Sequence, residues 1–185
     1  MNNRDLLFVD TETTGLDPTK HEVIEVSWTL TSPDAKIVKK KYLARMLPLH
    51  IETAEPKALE INGYTEVGWR TGTLTSQGEV AEAFHAVAKD KILVAHNVSF
   101  DEGFMTALLR ESEFAPSWHY HKVDTAALAW PAFAGGALSG VSLEKVCAFL
   151  GIKQERKHAA DADVESCRLV YLALMSRYAG LFMPA

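Results

Sequence analysis

Asp10 and Glu12 stand two residues apart in the stretch Phe8–Leu16, FVDTETTGL. On a strand, positions i and i+2 point to the same face, so two carboxylates would share one small volume. They repel unless something cationic lies between them, and their oxygens are hard ligands suited to Mg²⁺ or Mn²⁺. The ordinary alternative is a solvated strand end. The turn that follows, Thr13-Thr14-Gly15-Leu16, favours the metal, because it keeps backbone N–H groups and small hydroxyls where a phosphate could approach. A further acid, Asp101, closes VAHNVSFD at 94–101; it falls in the first turn of an expected helix, where it would serve a metal or simply complement the helix dipole. The third stretch is KHAADAD at 157–163. His158 and Asp163 are separated by about 140° on an ideal helix, so a shared site needs His158 in the loop before the helix and Asp163 on its early turns. The alternative there is a surface histidine and an acidic helix start capped by Asp161.

Each of these signals is modest alone, but their order, DxE, then HNxxFD, then HxxxxD, is specific. With FVDTETTGL, AHNVSFD and HAADAD spread over positions 8–163, the sequence resembles the DEDD superfamily of 3′–5′ exonucleases, in its His-containing branch. The sister branch carries a tyrosine four residues before the last acid, where this chain has Ala159. Asp161 rivals Asp163, but the five-residue spacing favours Asp163. The resemblance implies an α/β, ribonuclease H-like fold: a mixed β-sheet flanked by α-helices. It implies two divalent metal ions, Mg²⁺ or Mn²⁺, with Asp10, Glu12, Asp101 and Asp163 as metal ligands and His158 as general base. Asp10 would bridge the ions, Glu12 and Asp163 would complete one shell, and Asp101 would support the other. The implied product is a nucleoside 5′-monophosphate released from a 3′ end. Thr13 and Leu16 would lie beside the terminal nucleotide, with Asn97 and Phe100 as second-motif contacts. Asn62 stands where many relatives carry a histidine. For Leu16 and Phe100 the ordinary alternative is core packing.

The totals are compatible with this. One exonuclease domain over 1–185 is expected, since 185 residues at 48% apolar content can bury a sizeable core. A net charge of −5 argues against a general electrostatic nucleic-acid binder, but bound divalent cations reverse the local field of an acidic site. The two cysteines, Cys147 and Cys167, lie in apolar helix-like stretches and predict no disulfide framework. No signal-peptide layout or membrane span is evident, so a soluble cytoplasmic protein without membrane partners is expected. The expected partner is nucleic acid with a free 3′ end, with a DNA polymerase or a homodimer as further candidates. The chief competing reading is a non-catalytic nucleic-acid-binding or polymerase-accessory module. The presence of all five catalytic residue types disfavours it. An endonuclease on the same fold is the third.

The elements that must hold these residues follow from patterning. Apolar runs predict strands at Leu6–Val9, His21–Leu30, Ile37–Leu43 and Ile92–Ala95, the second and third joined as a hairpin through Ser32-Pro33-Asp34. Helices are expected near Pro56–Ile61, Glu79–Lys89, from the 96–101 junction to Arg110, near Thr125–Trp130, from a Ser142 cap to Leu150, and from Ala160 to about Tyr178. The basic run KIVKKKYLAR at 36–45 reads as a strand edge charged against aggregation in preference to a track for a nucleic-acid backbone. His119 and His121 would alternate on one strand face, without a further ligand nearby in sequence.

Overall fold

A computed structural model describes residues 3–156 and 159–182. Its sheet has five strands in the order β3-β2-β1-β4-β5: β1 (Leu6–Thr13), β2 (Val23–Thr31), β3 (Val38–Arg45), β4 (Ile92–Ala95) and β5 (Val123–Asp124). The first three form an antiparallel meander, and β4 and β5 add in parallel on the other side of β1. Among the described residues the α-helices are α1 (Pro56–Asn62), α2 (Glu66–Arg70), α3 (Gln77–Ala88), α4 (Val98–Glu111), α5 (Thr125–Ala134), α6 (Leu143–Leu150) and α7 (Ala160–Phe182). None among the described residues is long and apolar enough to cross a membrane.

Strand β1 lies at the centre and is buried on both faces, which explains its unbroken apolar start. Leu7 and Val9 enter the core shared with Phe84, Phe104 and Met105 of α3 and α4. Leu6 and Phe8 enter a second core with Val164 and Cys167 of α7. The strand runs four residues beyond the apolar stretch Leu6–Val9, through Thr13. The reason is pairing: the ladder with β2 continues through Asp10↔Ser27 and Glu12↔Glu25, whereas pairing with β4 stops at Phe8↔Val94. Asp10 and Glu12 are therefore inside the strand and continue the alternation of Leu6 and Phe8 toward α7. A crevice opens where β1 outruns β4, the place where open α/β sheets bind ligands.

Local chemistry accounts for most boundaries. Ser76 and Glu79 form a reciprocal capping box that starts α3 two residues earlier than the apolar pattern alone suggests. Gly63 and Gly151 end α1 and α6 in left-handed conformation. Ser142 precedes α6, but its side chain makes no capping hydrogen bond. Strand β3 is a sheet edge, and its Lys39, Lys40 and Lys41 are exposed, in keeping with a charged edge. His119 and His121 lie outside any strand, with ring centroids 5.1 Å apart.

Phe8 ties the sheet to α7, its ring edge-on to Tyr171 at 5.7 Å, and is fully buried. Phe8→Ala is expected to destabilise the protein by about 3–5 kcal/mol, measured by urea unfolding in the presence of chelator.

Candidate active site

The three acids that share a volume come from two elements. One carboxylate oxygen each of Asp10, Glu12 and Asp163 lie within 4.8 Å of one another. Two are contributed by β1 and the third by the first turn of α7. Asp163 is buried, and Asp10 and Glu12 are partly so.

Asp101 arrives from the other face, in the first turn of α4, and is only 3% exposed. Its Oδ1 accepts the Thr11 backbone N–H and the Thr11 hydroxyl, both at 2.9 Å. This N–H lies beyond the last β1–β4 pair, so the carboxylate takes the role that a ladder partner would have filled. Above the acids is a cleft of about 210 Å³ with His96, Asn97, Phe100 and Leu143 in its walls. A larger cavity of about 480 Å³ beside Leu47, Leu49 and Leu74 contains no titratable side chain and offers no comparable chemistry.

Burial, and behind it the crowding of Asp10 and Glu12, is written into the ionisation of these groups. Burial, and then the charges of Asp101, Asp163 and Glu12, hold Asp10 well above the usual carboxylate range. Burial, followed by Asp163, Glu25 and Asp101, pushes Glu12 up to about 8. Burial raises Asp101 to about 7 against the opposing effect of the Thr11 hydrogen bonds. Without a cation the folded site thus favours protons on its acids. Hard oxygen donors, mutual repulsion and an open cleft together are the chemistry of a divalent-cation site, and the residues fit such a group.

The remaining sequence candidates distribute around this centre. Leu16 is 72% exposed, which excludes core packing for it. The turn that carries it is tightly held: the Thr13 hydroxyl donates to the Gly15 carbonyl at 2.7 Å, and Thr14 N–H bonds Glu22 O at 2.9 Å. A Cβ on Gly15 would come within 2.5 Å of the His21 ring, so glycine is required there by close approach. Asn62 does not point into the cleft wall; its amide donates to Thr13 O at 3.0 Å and its Oδ1 caps Tyr64 N–H at 3.1 Å. Asn97 is the left-handed residue (φ 73°) that begins α4, and Phe100 leans on Phe104 with centroids 4.9 Å apart. His158 lies outside the described residues.

Four residues to which the sequence assigned no role support the site. The Asp124 carboxylate accepts the N–H groups of Asn97 and Val98 at the start of α4 and of Ala126 and Ala127 at the start of α5. His96 joins Thr125 Oγ1 at 2.9 Å to Val141 O at 2.7 Å, and burial lowers its pKa. Gln154 Nε2 donates to Asp163 Oδ1 at 3.3 Å. Glu25 is buried opposite Glu12. Asp124 at the head of a helical run carried a legible capping signal, and His96 opens the HNxxFD motif; Gln154 and Glu25 had none.

The raised carboxylates set a pH dependence. Between the unfolded and folded pKa values the native state binds more protons than the unfolded chain, so stability falls as pH rises. In chelator, the melting temperature is expected to drop from pH 5 toward pH 8, through the region where Asp101 and Glu12 titrate. Added Mg²⁺ or Mn²⁺ should restore it far more at pH 8 than at pH 5, and Asp10→Asn should raise metal-free stability at pH 8. Differential scanning calorimetry reads all three.

Comparison with known proteins leads to the same chemistry. The exonuclease family model RNase_T matches residues 7–171. Ribonuclease T of Shewanella baltica (strain OS155) is 28% identical over 190 residues, covering 94% of this chain and 82% of the relative. That of Shewanella oneidensis is 28% identical over 187 residues, covering 92% and 81%. Among solved structures, an Exonuclease I superposes with a TM-score of 0.84 at 20% identity, over 97% of this chain and 42% of its own. The zinc-bound E. coli Exonuclease I–single-stranded DNA complex gives 0.85 at 19%, over 98% and 42%. The chain therefore spans less than half the length of the Exonuclease I chains it matches, and they share its fold. With the family match running through all four acids, the chain belongs to the RNase T exonuclease family and is a 3′–5′ exonuclease of the DEDD superfamily.

Proposed function

We propose that residues 1–185 act as one exonuclease domain that removes nucleotides from the 3′ end of single-stranded DNA or RNA, using two divalent cations, Mg²⁺ or Mn²⁺. The observation that carries this reading is the convergence of Asp10, Glu12 and Asp163 within 4.8 Å, with Asp101 fixed beside them through Thr11. Bound divalent cations supply charge neutralisation for the phosphodiester and a lowered pKa for the attacking water.

The protein's own residues do the rest. Asp10, Glu12, Asp101 and Asp163 hold the cations, and by staying ionised around them they give up the protons that the metal-free site retains. His158, as in the His-containing branch, takes the proton from the attacking water; an unperturbed imidazole pKa of about 6.5 suits that task. The exposed Leu16 packs against the terminal base, and the Thr13–Gly15 turn meets its sugar. Asn97 and Phe100 line the other wall of the cleft, where Phe100 offers a ring edge to a base. The Asn62 amide braces the Thr13 carbonyl and acts on the nucleotide through that turn. A single-stranded substrate is supported by Exonuclease I, whose complexes include a dT13 oligonucleotide. We assign the activity to the cytoplasm, acting on nucleic acid with a free 3′ end.

Single-stranded DNA and RNA labelled at either end test this reading. The 3′ label should appear at once as a nucleoside 5′-monophosphate, and the 5′ label should shorten one nucleotide at a time. Chelator and Asp10→Ala should each abolish degradation, and His158→Ala should lower turnover by about 10²–10⁴-fold. Full activity in chelator would sink the metal assignment.

A further inference from the structure

Glu25 is an acid that the proposed mechanism leaves without a task. It sits in β2 directly across from Glu12 in the ladder and is 3% exposed. Its two oxygens are engaged by different elements. Oε2 meets Nε of Arg45, from β3, at 2.5 Å, and Oε1 accepts the backbone N–H of Ala160, the first residue of α7, at 3.0 Å. Arg45 is itself held over the Trp69 ring, 4.7 Å from its centroid. Trp69 Nε1 donates to the carbonyl of Ile24 at 3.1 Å, which returns the chain of contacts to the residue before Glu25.

A carboxylate at a helix N-terminus satisfies an orphan N–H and complements the dipole. The Arg45 guanidinium gives the buried acid a hydrogen-bonded counter-charge. Here the acid comes from a strand 135 residues away in sequence. It pins the first turn of α7 to the sheet, the turn that carries Asp163. Asp163 follows Ala160 by less than one helical turn and donates its own N–H to Ala159 O at 3.0 Å. A shift or rotation at Ala160 therefore moves the Asp163 carboxylate relative to Asp10 and Glu12.

Resting on the metal-site reading above, we propose that Glu25 is a positioning residue. Through its hydrogen bond to Ala160 and its ion pair with Arg45, it sets the place of Asp163 in the acid cluster and so the affinity for divalent cations. It touches neither substrate nor the reacting atoms. Its Oε1 toward Ala160 carries the positioning, and its charge is balanced by Arg45.

Mn²⁺ binding followed by electron paramagnetic resonance tests this, with circular dichroism as the check of folding. Glu25→Ala is expected to raise the Mn²⁺ dissociation constant at least about tenfold, and Glu25→Gln, which keeps an acceptor for Ala160, to restore most of that loss. At subsaturating Mn²⁺, strand degradation by Glu25→Ala should be slower than by the wild type and largely recovered in Glu25→Gln. Glu25→Asp, which withdraws the acceptor by one methylene, should also weaken Mn²⁺ binding and serves if the alanine variant does not fold. Wild-type affinity in Glu25→Ala or Glu25→Asp, or a glutamine variant as weak as alanine, overturns the proposal alone. A wild-type chain that binds no Mn²⁺ overturns the metal reading together with it.

Discussion

Like charges held close in a half-buried place push each other apart, and here the push is resisted by elements that have every other reason to stay where they are. Asp10 and Glu12 cannot separate, because they ride on a strand that is paired on one side through its whole length. Asp163 cannot retreat, because α7 is packed through Val164 and Cys167 onto the same strand's Leu6 and Phe8. Asp101 is tied to the strand by two hydrogen bonds to Thr11. Burial first, and the repulsion after it, raise the proton affinities of Asp10 and Glu12, burial raises that of Asp101, and a partner that brings positive charge relieves the repulsion.

The two faces of β1 divide the work. Leu7 and Val9 join the larger core with α3 and α4, and that core sets where Asp101 enters. Leu6 and Phe8 join the α7 core, which sets where Asp163 enters. Because side chains alternate along a strand, the same four-residue apolar run specifies both helices, and the next four residues are left to carry polar groups into the crevice. The early end of β4 matters as much: it leaves the Thr11 N–H unpaired by backbone, and this unpaired donor is what captures Asp101.

Strands β1, β2 and β4 were legible as apolar or β-branched runs and β3 as the second arm of a hairpin, whereas β5, two residues long, offers no run to read; the three motifs were legible because their residue types and order are unusual. What was hidden has a physical cause in each case. The extension of β1 past Val9 depends on its partner strand, which local pattern does not reveal. Helix α2 is a five-residue element whose weight lies in one buried side chain, Trp69; so short a helix has no periodicity to read. Glu25 is engaged by Arg45 of β3 and by the start of α7, partners distant in sequence that no local pattern reveals. Leu16 and Phe100 could each have been core residues on type alone; exposure separates them, with Leu16 standing free and Phe100 half-buried against Phe104.

Asp124 lies in a two-residue strand and is not itself among the residues bordering the cleft, yet its carboxylate gathers N–H groups from two helices. An amide of the same shape would present one acceptor oxygen and turn an NH₂ group toward some of those donors, so no isostere serves. The beginnings of α4 and α5 are consequently fused into one rigid corner, and neither helix can reorient without the other. Mutational tolerance around this site should therefore follow the wiring of backbone donors and not the distance from the cleft, and a residue outside its walls inherits the intolerance of those within.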